Sequence, residues 1–416
     1  MIVKPFRGLR PRLDLAHRIP SVPYDVVDSA EARRLAEDDP YTFLHVVKPE
    51  IDLAPETDPY DEHVYATGAR NLRAMIDRGW LVRDPAPAYY VYRLTMGGES
   101  QTGVMGAAAV ADYEAGRIKR HEHTRPAKER DRVRLNDALS AHPGPVFLAY
   151  RDRPEIDSLV TRIVAQDPVV RFTAVDGVEH ALWIVDGAAP REEIEASFDR
   201  VPSAYVADGH HRAAAAARVA GARLARPGSH PDHAPYRFFL AAHFPASQLR
   251  VLEYNRLVRD LNGLAPAQLV EGLERAGLIV EPHPAAGRPP RPGSFGMYLG
   301  GRWYLVSVEP AALPRDPVAR LDVSLLSERV LRPLLGIADP RTDGRIDFVG
   351  GIRGPKELER RVDSGEHAVA FALHPTKLDD VMAVADAGGV MPPKSTWFEP
   401  KLRSGMVVQT IDGLLL

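Results

Sequence analysis

The chain has 416 residues, 45% hydrophobic and 26% charged, with 53 basic and 56 acidic side chains for a net charge of −3. That composition supports a sizeable buried core and gives no overall electrostatic footprint for DNA, RNA or an anionic membrane. Cysteine is absent, which excludes disulfides, thiolate nucleophiles, iron–sulfur clusters and cysteine-based zinc sites.

The opening Met1-Ile2-Val3-Lys4-Pro5-Phe6 lacks the apolar core of a signal peptide, and no run nears the roughly 20 apolar residues that span a bilayer. A cytoplasmic location is expected, with no nucleic-acid or membrane partner. Pro5 to Val27 reads as extended or looping backbone. A helix is expected over Glu31–Glu37 after the cap Ser29, and a strand over the β-rich Thr42–Lys48. Asp61 to Arg78 is amphipathic, with Tyr65, Ala69, Leu72 and Ile76 at helical spacing, although Gly68 is a poor helix former. Ala88–Leu94 and Gln101–Val110 read as strands of a hairpin joined through Met96-Gly97-Gly98-Glu99.

Ile118–Thr124 reads as extended and Ala127–Leu139 as a charged helix. Strands are expected at Val146–Tyr150, Val169–Thr173, His180–Val185, Ala204–Ala207 and Phe238–Phe244, and helices at Glu155–Val164 and Arg212–Ala222. The Ala-rich last of these has the strongest helix propensity. Pro282–Gly293 reads as a long loop, and the tail as mixed helix and strand rich in turn residues. Phe348-Val349-Gly350-Gly351-Ile352-Arg353-Gly354 has neither a Walker nor a dinucleotide pattern and reads as a strand end and turn.

Chemistry concentrates first at Asp208-Gly209-His210-His211-Arg212, where a β-run meets a helix-forming run. Gly209 permits a tight turn and close backbone approach. The helix that follows offers unpaired N–H groups and a positive dipole end to a phosphate, and Arg212 adds a bidentate donor. The plainer alternative makes Asp208 an N-cap and the imidazoles solvated. Because adjacent helical residues diverge by about 100°, His210 and His211 are poorly placed to share one metal ion.

A second concentration is Arg117-Ile118-Lys119-Arg120-His121-Glu122-His123-Thr124-Arg125. On an extended strand Glu122 faces away from His121 and His123. Either Glu122 is a general base in a cationic cleft, or the two histidines chelate a metal; an ordinary solvated basic strand is the third reading. Near the C-terminus, Met391-Pro392-Pro393-Lys394-Ser395-Thr396-Trp397-Phe398-Glu399-Pro400-Lys401 sets polar groups on stiff backbone. Lys394 and Lys401 suit phosphate, Ser395 and Thr396 can donate to it, and the aromatics can wall a ligand or simply pack. Asp25, in Pro23-Tyr24-Asp25, is a candidate substrate or metal contact or a turn carboxylate.

The turn with its Ala-rich helix resembles the nucleotide-phosphate motif of the ParB/sulfiredoxin-like superfamily, and is closer to the Asp-Gly-x-His-Arg turn of ParB-like free-serine kinases. Through Lys4-Pro5-Phe6-Arg7, Val22-Pro23-Tyr24-Asp25, the His-Glu-His segment, this turn and the Pro-Pro-Lys-Ser-Thr-Trp-Phe-Glu-Pro-Lys segment, nearly the whole chain resembles the DUF1015 family. The resemblance implies an α+β fold with a ParB-like mixed-sheet catalytic core inside a larger chain with a C-terminal α+β region. Three regions are expected: residues 1–100 contributing to the core, 101–250 as the nucleotide-binding core, and 251–416. The implied activity is nucleotide-dependent phosphotransfer to a small-metabolite hydroxyl, free serine first. Phosphates of ADP or ATP with Mg²⁺ would be held at Asp208–Arg212, and Glu122 would match the catalytic glutamate. A CTP-type nucleotide sensor and a metal-dependent hydrolase using His121 and His123 remain as alternatives, and a homodimer is left open.

Overall fold

Two strongly apolar runs, Val146–Tyr150 and Phe238–Pro245, are buried along their whole length. They lie parallel and adjacent inside a nine-stranded mixed sheet. This is the arrangement in a computed structural model that describes residues 1–283 and 287–413. The chain divides into two compact units. The first comprises Met1–Arg120, Thr124–Leu249 and Pro400–Leu416; the second comprises His121–His123 and Arg250–Glu399. Both combine helices with sheets, as the α+β expectation requires.

In the first unit the sheet order is Ile118–Lys119, Ala204–Asp208, Val146–Tyr150, Phe238–Pro245, Glu99–Ala109, Tyr89–Met96, Glu179–Val185 and Val170–Thr173, with Val3–Lys4 on Glu99–Ala109. The hairpin forms as expected: Met96 pairs with Glu99 around Gly97 and Gly98, both at positive φ. The helices Pro154–Val164, Ala188–Asp199 and His210–Leu224 bury Ile156, Leu159, Phe198, Ala213 and Ala216 in the core shared with the sheet. Each large apolar side chain so buried contributes about 1.5–3 kcal/mol.

A second core of this unit gathers the helices Leu44–Val47, Glu62–Asp77 and Pro126–Leu139 with Val408. Here the strand expected over Thr42–Lys48 is corrected to the short helix Leu44–Val47. Phe43, Leu44, Val46 and Val47 are all buried, and so short a mostly apolar run does not separate strand from helix by its period. The cap of the first helix is Asp28, which accepts from the Glu31 N–H at 2.8 Å, rather than Ser29. On Glu62–Asp77, Tyr65, Leu72 and Met75 face the core while Ile76 is exposed. Gly68 belongs there because a Cβ would lie 2.8 Å from the Pro49 ring and 3.2 Å from the Val46 carbonyl.

The second unit is built on an antiparallel six-stranded sheet, ordered Leu278–Pro282, Arg302–Val308, Ser294–Leu299, Val369–Leu373, Tyr254–Val258 and Ile346–Gly350. The helices Pro266–Arg275, Asp322–Leu326 and Leu378–Asp386 contribute to its main core. The glycine-rich stretch ends a strand at Gly350 and turns through the 3-10 segment Gly351–Arg353, as read, before the helix Gly354–Asp363. Of the loop expected over Pro282–Gly293, residues 284–286 lie outside the described residues. Among the described residues no helix is long and apolar enough to cross a membrane.

Candidate functional site

The strand Ala204–Asp208 ends in a bulge: Val206 pairs with Leu148, and the next pairing joins Asp208 to Phe147. A bulge re-aims the residue that follows it, here the Asp208 carboxylate. Gly209 then adopts φ 95°, a left-handed conformation that disfavours a side chain, and the helix starts at His210. A Cβ at Gly209 would also stand 2.9 Å from Nε of Arg212. The turn therefore favours glycine, and any side chain there would have to displace the guanidinium folded over it.

The expected separation of the two imidazoles is found. His210 is buried, whereas His211 turns outward and its Nε2 accepts from the Arg125 N–H at 2.9 Å. Arg212 is the fourth residue after Asp208 and reaches back to its Oδ2 at 2.5 Å, while also donating to the Pro145 carbonyl. Lys401 donates to the other oxygen, Oδ1, at 3.3 Å. Burial pushes the Asp208 carboxyl up, but Lys401 and Arg212 outweigh that and hold it well below the usual carboxylate range. The Arg212 guanidinium would be lowered by burial; Asp208, Asp25 and Tyr24 instead raise it. Its Nε is buried without a hydrogen-bond partner among the described residues.

Beside Arg212 opens a cleft of ≈ 400 Å³, counted to its mouth. Tyr24, Arg132, Asn136, His142 and Ser404 line it with Arg212. The Arg132 guanidinium sits 3.8 Å from the centre of the Tyr24 ring and 2.7 Å from Asp131. Burial pushes the His142 imidazole down to about 4, so it is neutral at ordinary pH, and its Nδ1 accepts from Asn136 at 3.3 Å. The cleft thus joins two guanidinium cations, a neutral imidazole and hydroxyl and amide groups, a set suited to a polar metabolite. Of these residues the sequence singled out Arg212, in the turn, and Tyr24, through Pro-Tyr-Asp; Arg132 and Asn136 were hidden in a charged helix, and His142 and Ser404 stood in no motif.

Asp25 is exposed, and its charge is felt by Arg212 and Tyr24. The strand expected through Ile118–Thr124 covers only Ile118–Lys119, so alternation does not govern the His-Glu-His segment. His121 is buried, Glu122 half-buried and His123 exposed. All three group with the second unit, where the Met391 N–H donates to the His121 carbonyl at 2.8 Å.

Lys394, Ser395 and Thr396 also belong to the second unit, whereas Lys401 belongs to the first. Lys394 takes φ 57° instead of continuing an extended run, and its ammonium lies 5.3 Å from the centre of the Tyr254 ring. The hydroxyl of Ser395 donates to the Pro392 carbonyl at 2.6 Å, and Thr396 is half-buried.

The fold and the strand–glycine–helix turn define an α+β protein with a cationic anchor at a helix N-terminus. The chain belongs to the DUF1015 family: the family described as "Protein of unknown function (DUF1015)" matches residues 3–324. No curated protein matches the chain. Similar solved structures include a free serine kinase in complex with AMP, at 14% identity and TM-score 0.35, covering 71% of this chain and 86% of that one. They also include SbnI with C-terminal truncation from Staphylococcus aureus, at 11% identity and TM-score 0.39, covering 71% and 82%. A conserved hypothetical protein from Pyrococcus furiosus has 13% identity and TM-score 0.35, covering 73% and 93%.

Proposed function

We propose that this protein is a nucleotide-dependent phosphotransferase acting on the hydroxyl of a small metabolite, with free serine as the first acceptor to test. The observation that carries the reading is the turn at Asp208–Arg212. A left-handed glycine opens a helix whose first N–H groups have no intrahelical acceptor, with Arg212 and Lys401 beside them. The Asp-Gly-x-His-Arg resemblance supports the same reading.

In this scheme the phosphates of ADP or ATP lie on the helix N-terminus, and Arg212 and Lys401 turn part of their charge from Asp208 to the phosphate oxygens. Both oxygens of Asp208 are engaged by these cations, so Mg²⁺ would enter bound to the nucleotide phosphates, and the Asp25 carboxylate would offer an oxygen donor suited to so hard a cation. The acceptor oxygen attacks the terminal phosphorus, the bond to the leaving phosphate oxygen breaks, and the hydroxyl proton passes to a base. Glu122 is assigned that proton, and Lys394 a share of the charge, from the sequence pattern.

The test is nucleotide consumption by the purified chain with and without serine. Serine-dependent formation of a phosphorylated product is expected, with a loss of about 10²–10⁴-fold in turnover in Glu122→Gln and little change in nucleotide affinity. Nucleotide binding without turnover across a panel of hydroxylated metabolites would move the protein to the sensor class.

A further inference from the structure

The second unit carries a separate cluster outside the proposed reaction. Asp347 lies in the edge strand Ile346–Gly350, and Glu366 and His367 lie between the helix Gly354–Asp363 and the strand Val369–Leu373. One ligand atom from each residue falls within 4.8 Å of the others. His367 Nε2 is 2.8 Å from Oδ2 of Asp347. An ionised carboxylate only accepts, so Nε2 carries the proton, and in the neutral ring Nδ1 carries the lone pair.

That Nδ1 is buried without a hydrogen-bond partner among the described residues, on a side chain with no exposed surface. It faces Oε1 of Glu366 at 3.9 Å. The gap is too long for a hydrogen bond, which ends near ~3.2 Å. Two metal–ligand bonds of about 2.0–2.2 Å, bent at the metal, span it. The neighbouring cations leave room for this role. Arg259 lies 3.3 Å from Asp347, and Arg361 is closer to Glu357, at 2.8 Å, than to Glu366, at 3.6 Å.

We propose that His367 Nδ1 and Glu366 hold a zinc-class divalent cation, with Asp347 as the outer carboxylate that fixes the ring. A carboxylate behind a ligating imidazole is the usual way a metal histidine is oriented. The imidazole nitrogen favours Zn²⁺, Co²⁺ or Ni²⁺ over Mg²⁺ or Ca²⁺, which prefer all-oxygen sites. Water would complete the shell. The ion would tie the edge strand to the turn before the strand Val369–Leu373.

The test titrates the chelator-stripped full chain with Zn²⁺ by calorimetry and repeats the titration with Co²⁺ by absorption. About one equivalent is expected to bind, with a Co²⁺ spectrum of low coordination symmetry. Glu366→Gln and His367→Gln should each weaken binding at least about tenfold, and Asp347→Asn about 10–100-fold. The Glu366 side chain is 46% exposed, so Glu366→Gln keeps the fold and reads the ligand role even if His367→Gln does not fold. His123→Ala should bind as the wild type does. No uptake by the wild type, or uptake undiminished in Glu366→Gln, overturns the proposal.

Discussion

The Lys401 ammonium lies 3.3 Å from Oδ1 of Asp208, a residue 193 positions earlier in the chain. The turn at Asp208–Arg212 is therefore not a local device, because one of its cations comes from a segment far along the chain. Lys401→Met should leave Arg212 on Asp208 and weaken Mg-nucleotide binding about tenfold, the worth of one charge-assisted contact. It should also flatten the salt dependence of that binding. Calorimetry at two ionic strengths reads both, and unchanged affinity would remove Lys401 from the site.

The segment that delivers Lys401 also holds the first unit together. Gln409 and Thr410 pair with His142 and Ala141, Val408 bridges to Leu9, and Ser404 bridges to Ser21. Arg403 reaches the buried His180 at 3.2 Å and pairs with Asp176. Met406, Val407, Val408 and Ile411 are buried, each worth about 1.5–3 kcal/mol against a total stability of about 5–15 kcal/mol. A chain ending at Glu399 should lose the cooperative thermal transition of the first unit, whereas that unit melting at its full-length temperature would contradict the stabilising role of the segment.

Burial pushes three histidines of the first unit down, His142 and His243 to about 4 and His180 to about 3. All three are neutral in the folded protein near pH 7. Below about pH 6.5 the unfolded chain takes up protons that the folded chain refuses, so stability falls by about 1.4 kcal/mol per histidine per pH unit until the folded pKa is reached. The melting temperature should drop steadily from pH 7 to pH 5, with net proton uptake on unfolding. Calorimetry in buffers of different ionisation enthalpy measures that uptake, and none at pH 5.5 would contradict the neutral assignment.

Asp322 in the second unit runs the other way. Burial pushes its carboxyl up to about 7, assisted by Asp380 and opposed by the Gly293 N–H, which it accepts at 2.7 Å. A raised carboxyl pKa stabilises the fold at acid pH, and that contribution is lost as pH rises toward 7. Asp322→Asn keeps an acceptor for Gly293 and removes the charge. It should raise the melting temperature at pH 8 relative to the wild type and narrow that advantage at pH 5; an equal effect at both pH values would show that the carboxyl is not raised.

The parts read correctly from sequence were those whose cause is local. The Ala-rich helix His210–Leu224 and the strand Ala204–Asp208 follow from propensity and from a β-run broken by glycine. The run Thr42–Lys48 failed because its apolar residues Phe43, Leu44, Val46 and Val47 are β-branched or aromatic in part and the run is too short to separate strand from helix. His121 and His123 were expected on one face, but regular strand stops at Lys119. Lys401 and Asp208 were both recognised as candidate site residues, yet their pairing was not foreseen, because no sequence period links residues so far apart. The Tyr24–Arg132 stack and neutral His142 likewise arise only when separate elements meet.

Whether the Asp208–Arg212 turn binds nucleotide phosphates is decided by calorimetric titration of Mg-ADP and Mg-ATP into the wild type and Arg212→Ala. Arg212 lies over Gly209 and carries a buried Nε without a partner among the described residues. Its loss leaves Lys401 to balance Asp208, so the chain should still fold. Saturable binding to the wild type is expected, with an affinity at least about tenfold weaker in Arg212→Ala at an unchanged far-ultraviolet spectrum. Equal affinities in the two proteins, or no binding of either nucleotide to the wild type, would contradict phosphate binding at the turn.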